Sequence, residues 1–254
     1  MNQIYLPKSN LSIIPGQYVV INALINPAQY TEKATFKPYF YGLKRIEPIK
    51  LWAIKEIFSI SSKFAGKEDN IIITGSFLDA GFNFNDIDII ILSKNVNTKG
   101  VELEILAKLG IKPHILALSK EEFLQGLASD PLYQTMISKC ISKNRIIFKF
   151  KPTINARLLD LHLLKSKTLI DNFEILNGKE KYYLTFNLIS ISLFIQRGKI
   201  TKNIVEKTIK REFGIKTLEE IKENFVEGSF LDKYKIIYNK TFDLIIRRIK
   251  NESK

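Results

Sequence analysis

The chain has 254 residues, a formal net charge of +13 and 45% apolar residues. The apolar share supports a packed core and excludes an extended disordered chain, while the length allows one large domain or two small ones. The single cysteine, Cys140, excludes an internal disulfide framework, and with only two histidines a zinc centre is not expected.

Residues 1–46 read as an N-terminal arm. Pro7, Pro15, Pro27 and Pro38 punctuate it, and Tyr18-Val19-Val20-Ile21 is a candidate strand. Phe36 to Arg45 mixes aromatics with cations. That interleaving suits base stacking, but the simpler expectation is an arm whose aromatics pack on the main domain. Pro48 is placed to open a helix. Ile49, Trp52, Ala53, Ile57, Ile60 and Phe64 then recur at helical spacing, and Gly66 is a suitable stop.

Next comes IIITGSFLDAGFNFNDIDIIIL, from Ile71 to Leu92. Ile71 to Thr74 and Ile87 to Leu92 are apolar, β-branched runs that read as buried strands, broken by Gly75-Ser76. Strand side chains alternate faces, so Asp86 and Asp88 project together. Two adjacent carboxylates repel and resist burial unless a cation compensates. Magnesium is the simplest candidate, since it takes oxygen ligands and keeps phosphate as a partner.

A hydrophobic strand, Gly75-Ser76, nine residues from Phe77 to Asn85, then Asp86-Ile87-Asp88 in a second strand resembles the nucleotidyltransferase superfamily, which has the polymerase-β-like fold. The minimal nucleotidyltransferases are the most similar group, and the resemblance covers roughly residues 48–151. It implies that Gly75 and Ser76 contact the phosphates of a nucleoside triphosphate and that Asp86 and Asp88 hold magnesium. It also implies a third carboxylate on a neighbouring strand.

Val101 to Leu109 reads as a short helix closed by Gly110, and Pro113 to Leu118 as a third strand. Ser119-Lys120-Glu121-Glu122 has the capping-box pattern of a helix start. That helix is expected to break near Ser129-Asp130-Pro131 and resume to about Ile141, before a final strand from Arg145 to Phe150. Pro152 marks a boundary. Beyond it the reading is helical: Ile154 to Leu176, ended by Asn177-Gly178; Tyr182 to Gln196, apolar on nearly every face and so central; Asn203 to Phe213; a second capping box at Thr217 to Glu220; and a last helix with the stripe Leu231, Tyr234, Ile237, Tyr238, Thr241, Ile245 and Ile249.

The expected fold is therefore α+β. A small mixed-sheet nucleotidyltransferase-like domain packed with helices (47–151) precedes an all-helical domain (152–254). Charge is uneven: residues 51–100 carry 5 basic against 6 acidic side chains, and residues 151–254 carry 21 against 13. Excess positive charge suggests a polyanionic partner such as RNA, DNA or a nucleotide, or a lysine-rich solvated surface.

The third strand contains no acid, and His114 stands where the resemblance places the third carboxylate. A neutral imidazole accepts a proton or ligates softer metals. The expectation is magnesium-dependent transfer of a nucleoside monophosphate to a hydroxyl, with Asp86, Asp88 and His114 as catalytic residues. The acceptor stays open between RNA, a protein side chain and a small molecule. One alternative is a catalytically impaired nucleotide- or RNA-binding protein on the same fold. Another is a helical HEPN-type ribonuclease, whose Arg-and-His spacing Arg157 and His162 match. No run approaches the roughly 18 uninterrupted apolar residues of a membrane helix. The N-terminus has no basic-then-apolar leader pattern. A cytoplasmic protein without a membrane partner is expected.

Overall fold

The structure is a computed structural model, and it describes residues 37–43, 45–66, 69–147 and 149–252. The chain divides into Met1–Ala34, which lies outside the described residues, and Thr35–Lys254. The candidate strand Tyr18 to Ile21 and the aromatic Phe36 therefore lie outside them too.

Strand β1 (Tyr39–Tyr41) leads to helix α1 (Pro48–Phe64), which starts with proline in its first turn. Strand β2 (Asn70–Thr74) and strand β3 (Asp86–Leu92) are joined through Gly75 and a 3-10 turn at Ser76–Leu78. Helix α2 (Thr98–Leu109) is capped by Asn97 and closed by left-handed Gly110, and it crosses over to strand β4 (Lys112–Leu118). Helices α3 (Lys120–Ser129) and α4 (Pro131–Ile137) follow, then strand β5 (Cys140–Ser142). The Ser119 capping box is present with both of its hydrogen bonds. The five strands form one mixed sheet in the order β1-β5-β2-β3-β4, with β3 and β4 parallel and the other pairs antiparallel.

The isoleucine runs are explained by burial on both faces of this sheet. Ile71, Ile73, Ile87, Ile89 and Ile91 pack against Ala53, Ile54, Ile57 and Phe58 of α1 and Val101 and Ile105 of α2. Ile72, Ile90 and Leu92 face the other way, onto Phe123 and Leu127 of α3 and Cys140. Each such side chain contributes about 1.5–3 kcal/mol by leaving water. Asp86 and Asp88 lie on the same face as Ile90 and Leu92 but are only half-buried.

The final strand differs from expectation. Arg145 to Phe150 is irregular wherever it is described, and the strand is Cys140–Ser142, because α4 ends at Ile137. Three contacts set this. The Thr74 hydroxyl bonds the carbonyls of Met136 (2.8 Å) and Lys139 (3.1 Å), which brings residue 140 alongside β2. Asn144 then clasps Asn70 and the Asp69 carbonyl, ending the pairing. Ile146 N–H donates to the Tyr41 hydroxyl at 2.7 Å instead of to a strand. Tyr41 and Leu43 pack on the sheet half, as expected of the arm, whereas Tyr39 and Phe40 are exposed.

Five helices follow: α5 (Ala156–Asp171), α6 (Gly178–Arg197), α7 (Lys202–Phe213), the single turn α8 (Glu219–Lys222) and α9 (Gly228–Glu252). Asn177-Gly178 does not end α5 but opens α6, where Asn177 and Glu180 form a capping box. Gly178 is required there because a side chain would strike the carbonyls of Ile221 and Lys222. At Thr217–Glu220 only part of a box forms. The Glu220 carboxylate accepts from the Thr217 and Lys216 N–H groups, while Leu218 holds the cap position without a side-chain bond. Helix α6 is central, with Leu188, Ile191 and Phe194 fully buried. Tyr234 of α9 is buried too, and its hydroxyl donates to the carbonyls of Ser166 (2.8 Å) and Leu184 (3.3 Å). Among the described residues no helix is long and apolar enough to cross a membrane.

Sheet half and helical half meet along a hydrogen-bonded seam. Buried Gln134 donates to the carbonyls of Leu127 (2.9 Å) and Gly198 (3.1 Å) and accepts the Ile200 N–H (2.9 Å). Ser138 Oγ accepts the Lys202 N–H at 2.8 Å, which places the start of α7 beside the start of β5. His162 Nε2 lies 3.2 Å from Asp130 Oδ2, and Asp130 also caps α4 through the Leu132 N–H.

Candidate active site

Register brings the motif residues together. Thr74 pairs with Asp88 across β2 and β3, and Asp88 pairs with His114 across β3 and β4. In aligned strands paired residues share a face. Asp86, Asp88 and His114 therefore point to one side of the sheet. His114 Nδ1 lies 3.5 Å from Asp88 Oδ1, and its side chain is 81% exposed against 35% for Asp88. Ile115 packs on the opposite face, as strand alternation requires.

Gly75 explains why the turn after β2 begins with glycine. Its φ is +83°, a region that side chains disfavour, and a β-carbon there would fall far inside contact distance of the Asp88 carboxylate. The backbone thus approaches Asp88 as no other residue would allow. Ser76 is exposed and Phe77 and Leu78 are buried, so the 3-10 turn is anchored by its apolar residues with its hydroxyl outward.

Burial raises the Asp88 carboxyl above its ordinary range, and the Asp86 charge adds to the rise; His114 partly opposes both. A divalent cation would offset both causes. The two carboxylates fit one magnesium, which is commonly held by one or two acids with phosphates and water completing its shell. They do not fit a full protein cage. Among the described residues no group of three or more His, Cys, Asp or Glu side chains is gathered for a metal, and the His114 imidazole suits softer ions.

Other acids near the motif in sequence are occupied elsewhere. Glu102 pairs with Lys99 on α2 at 3.1 Å, Glu104 pairs with Lys63, Asp130 is in the seam, and Glu121 is exposed in the first turn of α3. For the ribonuclease reading, the His162 imidazole is turned onto Asp130, while Arg157 is exposed. Of the basic residues in the helical half, Lys165 sits on Tyr183, Lys167 pairs with Asp171, and Lys181 lies 3.9 Å from the Phe173 ring centroid. Burial pulls the Lys181 ammonium below its ordinary range, with Glu174 opposing. Lys179, Lys207 and Lys210 are exposed.

Two groups were not singled out by sequence reasoning. Lys50 is 2% exposed. Its ammonium donates to the carbonyls of Asp79 (2.6 Å) and Gly81 and lies 3.3 Å from the Glu47 carboxylate. A lysine at the spacing of Ala53, Ile54 and Ile57 was the available signal. The second group is Asp79, which pairs with Lys139 and, at 3.4 Å, with Lys202. Burial works against its charge, but these two ammonium groups hold its carboxyl below the ordinary value. They come from either side of the seam and have no local signature. No protein-family model matches this sequence, and no curated protein matches it.

Proposed function

We propose that this protein is a nucleotidyltransferase, moving a nucleoside monophosphate from a nucleoside triphosphate to a hydroxyl acceptor. The observation that carries the reading is the close approach of Gly75 to Asp88, with Asp86 and His114 on the same face. It sets a turn that only glycine can make directly against two neighbouring carboxylates, one of them raised by burial and by the charge of the other. The exposed Ser76 hydroxyl and the backbone N–H groups beside it would bind phosphate oxygens. Asp86 and Asp88 would hold magnesium, which when bound neutralises the triphosphate and the departing pyrophosphate. The acceptor oxygen forms a bond to the α-phosphorus, and the bond from that phosphorus to the bridging oxygen of the β-phosphate breaks. The hydroxyl proton passes to the exposed His114 imidazole or to water. RNA fits the net charge as an acceptor; a protein side chain and a small molecule are the other candidates.

The test is incubation with labelled ATP, CTP, GTP and UTP, magnesium and bulk RNA, using wild type and the Asp86→Ala, Asp88→Ala double variant. Label incorporated by wild type and lost in the variant is the expected result. Equal magnesium-dependent triphosphate affinity in both proteins would sink the reading. A second reading has its own observation: β4 brings His114, not an acid, against Asp88. It is a nucleotide binder with impaired transfer. Retained binding without incorporation in wild type, and incorporation restored by His114→Asp, would favour it.

A further inference from the structure

Phe82 stands on the loop between Ser76 and Asp86 and is 64% exposed. A lone exposed phenylalanine is ordinary on a protein surface. Here, however, the backbone beneath the ring is fixed. Lys50 binds the Asp79 and Gly81 carbonyls, and the Glu47 carboxylate accepts the Gly81 N–H at 2.7 Å. The same ammonium lies 5.3 Å from the Phe82 ring centroid and 5.5 Å from that of Phe84. Phe84 in turn closes edge-on against buried Phe77 at 4.9 Å. The loop is thus built from a buried charge and two packed rings, and it presents the third ring to solvent. Its neighbours Asn83 and Asn85 are exposed, and their side chains bond no described residue. Phe82 is four positions before Asp86, so their α-carbons lie within about 14 Å.

We propose that Phe82 is a platform on which an unpaired nucleobase stacks at the mouth of the site, with Asn83 and Asn85 offering amide groups to the base edge. Every nucleobase has a π-face for such a ring, and a rigid ring loses little freedom on stacking. The net charge of +13 favours approach of a phosphate-bearing ligand. The base belongs either to the incoming triphosphate or to the end of an acceptor strand. The inference rests on the transfer reading for its place in a reaction, but its test reads binding alone.

Wild type, Phe82→Ala and Phe82→Trp are titrated with three probes: a short unstructured oligoadenylate without magnesium, ATP with magnesium, and inorganic triphosphate with magnesium. Phe82→Ala should weaken a base-bearing probe about 5- to 150-fold, the effect of losing one stacked base. Phe82→Trp should retain its affinity, and inorganic triphosphate should bind all three proteins alike. A loss confined to ATP assigns the incoming nucleotide; a loss confined to the oligoadenylate assigns the acceptor strand. The salt slope should not change, since no charge is removed. Unchanged affinity of Phe82→Ala for both base-bearing probes would overturn the platform, even in an active transferase. Stacking loss in a protein that incorporates no label would instead uphold the platform and sink the transfer reading.

Discussion

Strand β3 has two ends built on opposite terms. From Ile89 to Leu92 it is buried on both faces between helices, and each side chain stabilises the fold. At Asp86 to Asp88 it places two like charges side by side, one raised by burial, against a glycine held at positive φ. Ile87 is buried there too, but the two carboxylates beside it do nothing to help the chain fold. A strand that carries such a cost has it offset by its own apolar end, which is the usual relation between a scaffold and a site.

The largest expected effect comes from the scaffold end. Ile89→Ala removes a side chain that is 1% exposed and leaves a cavity between β3, α1 and α2. The loss should be about 2–5 kcal/mol in urea denaturation. A loss below about 1 kcal/mol would mean that this core collapses around the gap.

Gly75→Ala should cost less and act at the other end, about 1–3 kcal/mol, because φ +83° with ψ −165° is a region essentially confined to glycine. It should also displace the Asp88 carboxylate, so magnesium-dependent triphosphate binding falls more than stability does. The two contributions separate in a double-mutant cycle with Asp88→Ala, which relieves the clash but not the backbone strain. Additivity of the two changes would show that the close approach carries no energy.

Lys50→Met tests the loop that leads from β2 into the acidic end of β3. It leaves the Asp79 and Gly81 carbonyls without their donor; Asp79 is only half-buried and Gly81 is exposed, so water can replace the ammonium in part and the loss should be about 1 kcal/mol. Amide exchange should quicken at residues 79–85 and stay unchanged in β3. Uniform exchange would show that the ammonium supports the whole sheet.

How much of this could be read in advance follows from the range of the interactions. The β2–β3 pair and its acidic end were legible because the isoleucine runs, Gly75 and the two aspartates lie within one short stretch. The caps at Ser119 and Asn177 act over three residues, although Asn177-Gly178 reads equally well as a stop and only packing on α8 decides it. The last strand was misread because Arg145 to Phe150 has the stronger alternation. Cys140–Ser142 is a strand through its two neighbours and the Thr74 hydroxyl, not through its own composition. Asp79 is 60 residues from Lys139 and 123 from Lys202, so no local pattern could join them. His114 was legible only through the resemblance, which places a site residue on the neighbouring strand; its pairing with Asp88 follows from the parallel register of β3 and β4, which the sequence does not display.

The smallest effect is the one that speaks most directly to the acidic end. Burial and the Asp86 charge place the folded-state pKa of Asp88 above its unfolded value. Between those two values the native state holds more protons than the unfolded state, so stability falls as pH rises. The penalty is absent below the unfolded pKa and complete above the folded one. Asp88→Asn removes the charge while keeping the shape beside Gly75. In magnesium-free buffer at neutral pH the variant should be more stable than wild type by less than about 1 kcal/mol, since the side chain is still about a third exposed. The difference should close as pH drops below the ordinary carboxylate range. Magnesium with ATP should raise the Tm of wild type and leave that of the variant where it was. A variant less stable than wild type at neutral pH would make Asp88 a structural partner of His114, and the acidic end would then be part of the scaffold.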